Sequence, residues 1–83
     1  MRATVLIRPK AGILDPQGEA VRGGLDHLGF SVKAARIGRL IDLEVEAASP
    51  AEARAAVEEM CRQLLANPLI ETYQIEIEEN GAR

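Results

Sequence analysis

The sequence of 83 residues predicts an α+β domain with the element order β-α-β-β-α-β. Segments near the start, the middle and the end of the chain alternate apolar and polar residues, which is typical of half-buried strands. Two segments of helical periodicity separate them, and each begins with a capping residue followed by proline. A short corner between the second helix and the last strand completes the pattern.

The first strand is expected over residues 3–8, where apolar side chains alternate. Asp15 and Pro16 begin the first helix, because Asp is a preferred N-cap and Pro suits the first helical position. Gly29 is placed to end this helix in a left-handed cap. One face of the helix is apolar, and we expect it to pack on the sheet; its residues are Val21, Leu25 and Leu28.

Two strands are expected over residues 31–37 and 40–46. Gly38 and Arg39 lie between them and fit a two-residue type II′ hairpin, which needs glycine at its first central position. The strands would pair as neighbours and give a sheet of four strands.

Ser49 is the expected N-cap of the second helix, which runs to about Leu65. Asn67 and Pro68 then form a corner, because proline blocks further helix and restricts the residue before it. The last strand begins near Tyr73. The expected product is a ferredoxin-like sandwich: a four-stranded antiparallel sheet with two helices on one face.

Composition excludes several classes of function. The net charge is −3, which is unsuited to nucleic acid, and the chain has two aromatic residues, too few for base stacking. One cysteine permits no internal disulfide. The first residues show no apolar signal segment, so a cytoplasmic protein is expected. Because small domains bury little surface, oligomerisation is the expected source of added stability.

The side chains that could carry chemistry are isolated. His27 is expected at the surface and Cys61 in the core, so neither is predicted to be catalytic. We predict no metal or cofactor site on this chain. Leu6 and Leu40 interrupt an otherwise polar sheet face and are candidates for a partner surface. The loop at residues 10–18 is either a hydrophobic staple for the first helix or a recognition loop.

Three stretches together resemble the PurS family, the small subunits of phosphoribosylformylglycinamidine (FGAM) synthase. They are Lys10–Gly18, Val32–Ile41 and Met60–Tyr73. The resemblance covers about residues 2–78. Arg39 is a departure, since the family usually has Lys there, and a contact that needs a compact ammonium would change.

The resemblance implies a non-catalytic assembly subunit in purine biosynthesis. It implies a homodimer or a dimer of dimers that bridges the glutaminase (PurQ) and synthetase (PurL) subunits and supports ammonia transfer. ATP and Mg²⁺ would bind to the synthetase subunit, with no cofactor on this chain. We expect one PurS-like domain over residues 1–79 and a short flexible tail over 80–83. The candidate subunit contacts are Lys10, Ile13, Leu14, Arg36 and Arg39, with Asn67, Pro68 and Tyr73 for self-association.

Two alternatives share the expected fold. A regulatory module of the ACT type would bind a small amino acid near the first loop, where Asp15, Pro16 and Gly18 faintly resemble its Asp-x-Pro-Gly motif. Catalysis of the acylphosphatase type would need an Arg and an Asn placed over a phosphate-binding loop. Arg8 or Arg36 could serve, but the sequence has no suitable loop.

Overall fold

The computed structural model describes residues 1–79, so the tail predicted over 80–83 lies outside the described residues. Residues 1–79 form three strands and two helices. The strands are β1 (Arg2–Pro9), β2 (Arg39–Glu44) and β3 (Glu71–Glu78); the helices are α1 (Pro16–His27) and α2 (Pro50–Met60), and a π-helical turn over Cys61–Leu65 extends α2. No helix within residues 1–79 has the length and apolar character needed to cross a membrane.

The sheet is antiparallel and has β1 at its centre, in the order β2-β1-β3. Ile7 stands opposite Arg39 on one side and Tyr73 on the other. Side chains alternate between two faces along each strand, as the sequence predicts. One face, here called the inner face, is covered by α2, and the other, the outer face, is open.

The core lies between the inner face and α2. Val5 and Ile7 of β1 pack with Val57 and Cys61, and all four side chains are fully buried. The inward-facing residues of the edge strands are partly covered and pack around this centre; they include Ile41, Leu43, Tyr73, Ile75 and Ile77. Burial of these apolar side chains is the main stabilising term, at about 25 cal/mol per Å² of apolar surface.

The strand predicted over residues 31–37 does not form, so the sheet has three strands within the described residues, and the prediction of four is wrong. The backbone N–H of Ile37 donates instead to the Asp15 carboxylate at 2.8 Å. The hairpin at Gly38 is also absent, and this glycine lacks the positive φ that a type II′ turn needs. Gly38 is required because a Cβ there would overlap the carbonyl oxygen of Ile7.

The prediction of two helices on one sheet face is also wrong, because α1 contributes nothing to the core. Gly18 is its one buried residue, and Leu28 on the expected packing face is 72% exposed. The capping predictions are confirmed. Asp15 accepts from Gly18 N at 3.0 Å, and beyond Gly29 the Phe30 N–H reaches Leu25 O at 3.0 Å, as in a Schellman motif.

The second helix begins and ends close to its predicted bounds. The Ser49 hydroxyl accepts from Glu52 N at 3.1 Å, and the Glu52 carboxylate accepts from Ala48 N at 2.7 Å, a close variant of the capping box. The last turn is π-helical, with Ala66 N donating to Cys61 O at 3.1 Å. Leu64 lies seven residues after the buried Val57, a spacing that would place both on one face of a regular α-helix, yet Leu64 is 83% exposed.

Candidate functional site

Three loops converge at one end of the sheet, where β1 ends and both β2 and β3 begin. Pro9 stands opposite Glu71, and Ile7 stands opposite Arg39. The backbone N–H of Lys10 donates to Ile70 O at 2.8 Å and ties the first loop to the corner after α2. We call this region, residues 8–15, 33–40 and 65–73, the contact end. It contains the residues that the sequence nominated as subunit contacts; of the two leucines nominated for a partner surface it contains Leu40, whereas Leu6 lies just before it on β1.

Arg36 and Asp15 join the first loop to the segment before β2. The Arg36 Nη2 donates to Lys10 O at 2.6 Å, while Asp15 accepts from Gly18 N and Ile37 N through separate oxygens. These two backbone donors, chiefly that of Ile37, lower the pKa of Asp15 below its ordinary value, because they stabilise the ionised carboxylate. Asp15 thus fixes both the start of α1 and the path of the chain into β2.

The Arg39 guanidinium forms hydrogen bonds to other groups of the chain. Its Nη1 lies 2.7 Å from Glu71 Oε2, and its Nη2 donates to Glu71 Oε1 at 3.2 Å and to Leu65 O at 2.6 Å. Glu71 also accepts from Asn67 N at 2.8 Å. The Arg39 guanidinium and, after it, the Asn67 donor hold the pKa of Glu71 below its ordinary value. This cluster fixes the corner after α2 against both edge strands.

The corner residues nominated for self-association differ in exposure. Asn67 shapes the turn, because its side-chain oxygen accepts from Leu69 N at 3.0 Å. Pro68 and Leu69 are exposed. Tyr73 is half-buried and packs beside the core on the inner face. The surface of this corner therefore comes from Pro68 and Leu69 more than from Tyr73.

The first loop borders a groove of about 540 Å³. Leu14 is 91% exposed and Ile13 is half-buried. Leu14 therefore does not act as a hydrophobic staple for α1 and is available for recognition, whereas the half-buried Ile13 is the residue of this loop that fits the staple reading. The groove runs between this loop and the segment that carries Lys33 and Arg36.

A second groove of about 540 Å³ lies on the outer face at the same end. Leu6 and Leu40, opposite each other in the sheet, line it together with Arg8 and Arg36. Sequence reasoning nominated the two leucines and Arg36 but not Arg8 as a contact residue. Arg8 could have been identified from the two-residue periodicity of the strand, which places it on the same face as Leu6.

The contact end offers cations and apolar side chains. Arg8, Lys10 and Arg36 take part in none of the ion pairs found among residues 1–79. Within the same residues no group of three or more metal-ligating side chains is present. Cys61 lies buried in the core, and burial raises the pKa of its thiol. This combination suits recognition of another protein surface.

Comparison with known proteins gives one consistent result. A family model described as PurS, phosphoribosylformylglycinamidine (FGAM) synthase, matches residues 2–79. The FGAM synthase subunit PurS of Methanocaldococcus jannaschii is 41% identical over 78 residues, covering 93% of this chain and 94% of that protein. The corresponding subunit of Synechocystis is 47% identical over 77 residues, covering 92% and 75%.

Solved structures agree with the sequence comparisons. The crystal structure of Methanocaldococcus jannaschii PurS has a TM-score of 0.84 at 40% identity and covers 94% of this chain and 95% of its own. A chain in the structure of PurLQS from Thermotoga maritima has a TM-score of 0.83 at 33% identity, covering 90% and 93%. The similarity extends over almost the whole chain in both cases.

Proposed function

The chain belongs to the PurS family of FGAM synthase subunits, and we propose that it holds the glutaminase and synthetase subunits of that enzyme together. One observation carries the proposal: the chain matches, over 90% of its length, a component of the PurLQS assembly of Thermotoga maritima. FGAM synthase is a ligase of purine biosynthesis, so this chain serves the ligase as a subunit. We place it in the cytoplasm with the other subunits.

The physical role of such a subunit is positioning. Ammonia released at a glutaminase site must reach a distant synthetase site without escaping into water, so the two catalytic subunits must be held in register. Fixing reacting groups relative to each other can be worth several kcal/mol. ATP and Mg²⁺ would act on the synthetase subunit, and this chain would supply the contact end as its binding surface.

Self-association is the second part of the proposal. Leu28, the C-cap of α1, and Phe30, two residues later, are among the exposed apolar residues. A homodimer or a dimer of dimers would cover this helix.

The function is tested by reconstitution. Purified glutaminase and synthetase subunits are combined with glutamine, ATP, Mg²⁺ and formylglycinamide ribonucleotide, with and without this chain. We expect glutamine-dependent FGAM synthesis, and a ternary complex on size-exclusion chromatography, only when the chain is present. Synthesis at full rate without the chain, and no ternary complex with it, would show that the proposal is wrong. Synthesis from free ammonium is the control for an active synthetase.

A further inference from the structure

The outer-face groove has an apolar floor and a cationic rim. Leu6 and Leu40 form the floor, and Leu40 is 57% exposed. Arg8 and Arg36 line the same groove. Arg39 also borders it, but its guanidinium is held by Glu71 and Leu65 O. The charge available in the groove therefore belongs to Arg8 and Arg36.

Both guanidiniums keep unused donors. Arg8 donates through Nη1 to the Gln74 side chain at 2.8 Å, a neutral acceptor. Arg36 donates through Nη2 to main-chain oxygens, at 2.6 Å for Lys10 O. Each guanidinium has five N–H groups, and within residues 1–79 neither forms an ion pair with a carboxylate. A carboxylate entering the groove could accept charge-assisted hydrogen bonds from both.

The rest of the outer face is acidic on balance, and the cation there, Arg2, is paired with Glu78 at 3.7 Å. Moving away from the groove, β2 presents Asp42 and Glu44, and β3 presents Glu76 and Glu78. Asp42 is already hydrogen-bonded to the Thr4 hydroxyl at 3.0 Å. An acidic ligand is thus attracted at one end of the face and repelled at the other. This asymmetry fixes where an acidic ligand sits.

We infer that the outer-face groove binds an extended acidic segment of a partner subunit of the synthase. A carboxylate of that segment is held by Arg8 and Arg36, and a neighbouring apolar side chain covers Leu6 and Leu40. Charge complementarity and the apolar floor select this occupant, and the net charge of −3 disfavours nucleic acid. The inference rests on the proposed function, because it names the surface by which the chain meets its partners.

Matched variants test the groove. Arg8→Gln removes one rim charge, and Leu40→Ser removes part of the floor. Arg2→Gln is the control for the first, since Arg2 lies on the same strand and the same face at the opposite end. Leu64→Ser is the control for the second, since Leu64 is the same residue type and is more exposed (83% against 57%) but lies outside the groove, on the turn after α2. All four are assayed for binding to the purified glutaminase and synthetase subunits, with glutamine, ADP and Mg²⁺ present.

We expect Arg8→Gln and Leu40→Ser each to weaken binding to one of the two subunits about tenfold or more, and the controls to change it less than about twofold. The effect of Arg8→Gln should shrink as salt is raised. Equal losses in the groove and control variants, or no loss in either, would overturn the inference. If the wild-type chain forms no complex at all, the proposed function fails with it. A wild-type complex that tolerates both groove variants overturns this inference alone.

A photo-crosslinking residue at position 40 identifies the occupant. A cross-link to a glutaminase or synthetase peptide that contains Asp or Glu supports the inference. A cross-link to a second copy of this chain, or to a partner peptide without an acidic residue, contradicts it. The folded state of each variant is checked by circular dichroism beforehand, and the outward position of Leu40 makes loss of folding unexpected.

Discussion

Arg39 and Glu71 join the two edge strands of the sheet across the end of the central strand. Arg39 begins β2 and Glu71 begins β3, and β1 runs between them. The guanidinium contacts both carboxylate oxygens, at 2.7 and 3.2 Å, and also accommodates the carbonyl oxygen of Leu65. One side chain therefore links the sheet edge to the last turn of the α2 extension.

We expect Arg39→Lys to destabilise the chain by about 1–2 kcal/mol. A lysine ammonium cannot reproduce the planar guanidinium that hydrogen-bonds to both Glu71 carboxylate oxygens and to Leu65 O. Partial exposure of Arg39 keeps the figure at the lower end. Urea unfolding measures the change. Arg54→Lys, at an exposed position on α2, is the control and should change stability by less than about 0.5 kcal/mol. Equal effects at positions 39 and 54 would contradict the assignment.

Asp15 should make stability depend on pH. Its pKa is lowered in the folded chain by the Ile37 and Gly18 donors, so its contribution is complete above the unfolded pKa of about 4 and is lost as pH falls further. Asn can cap a helix but carries no charge. Asp15→Asn should therefore lower the urea midpoint at pH 7, and the difference from wild type should shrink near pH 3. A difference that stays constant with pH would contradict this account.

Glycines at positions 18 and 24 should respond oppositely to alanine. A Cβ at Gly18 would overlap the carbonyl oxygen of Ala35, whereas nothing lies within 4 Å of a Cβ at Gly24. Gly18→Ala should lower the melting temperature because backbone must move. Gly24→Ala should raise the free energy of unfolding by about 0.5–1 kcal/mol through helix propensity. Calorimetry on both variants checks this, and a stabilised Gly18→Ala would contradict the close approach.

The Cys61 thiol should be unreactive in the folded chain. It is fully buried, and burial raises its pKa above the ordinary value of 9.0. We expect a thiol reagent such as Ellman's reagent to label it at a rate limited by unfolding, with full labelling in 6 M guanidinium. Rapid labelling under native conditions would be the contrary result.

The exposed apolar end of α1 should control the oligomeric state. Leu28→Ser removes one of its largest exposed side chains, and we expect multi-angle light scattering to show a shift to smaller species. Leu64→Ser, at a comparably exposed position outside α1, is the control. The proposed interface on α1 is wrong if the two variants have the same mass distribution.

Local signals in the sequence predicted most of the elements. Asp15, Ser49 and Gly29 identified the helix ends because capping needs particular side chains at particular positions. The strand predicted over residues 31–37 does not form because the backbone there is held by tertiary contacts. Its path depends on the Asp15 carboxylate and on two close approaches at glycines, which no strand pattern reveals.

The sequence indicated which residues lie at the candidate site better than it indicated how those residues contact one another. The residues nominated for contact do gather at one end of the sheet, since the register brings the three loops together there. Arg39 was nominated as a contact, yet it is bound to Glu71 within the chain, a pairing 32 positions apart that periodicity does not express. The sequence did not predict that α1 lies away from the core, because an apolar helix face does not indicate which surface it packs against.

The π-helical turn over Cys61–Leu65 changes which leucine belongs to the surface. A turn closed by an i→i+5 hydrogen bond holds one residue more than an α-turn, so the side chains toward its end lag by up to about 100° of rotation. Cys61 remains in the core, Leu65 is half-buried and Leu64 is turned outward. One extra residue in the turn thus rotates Leu64 from the core side of the helix to the surface beside the corner.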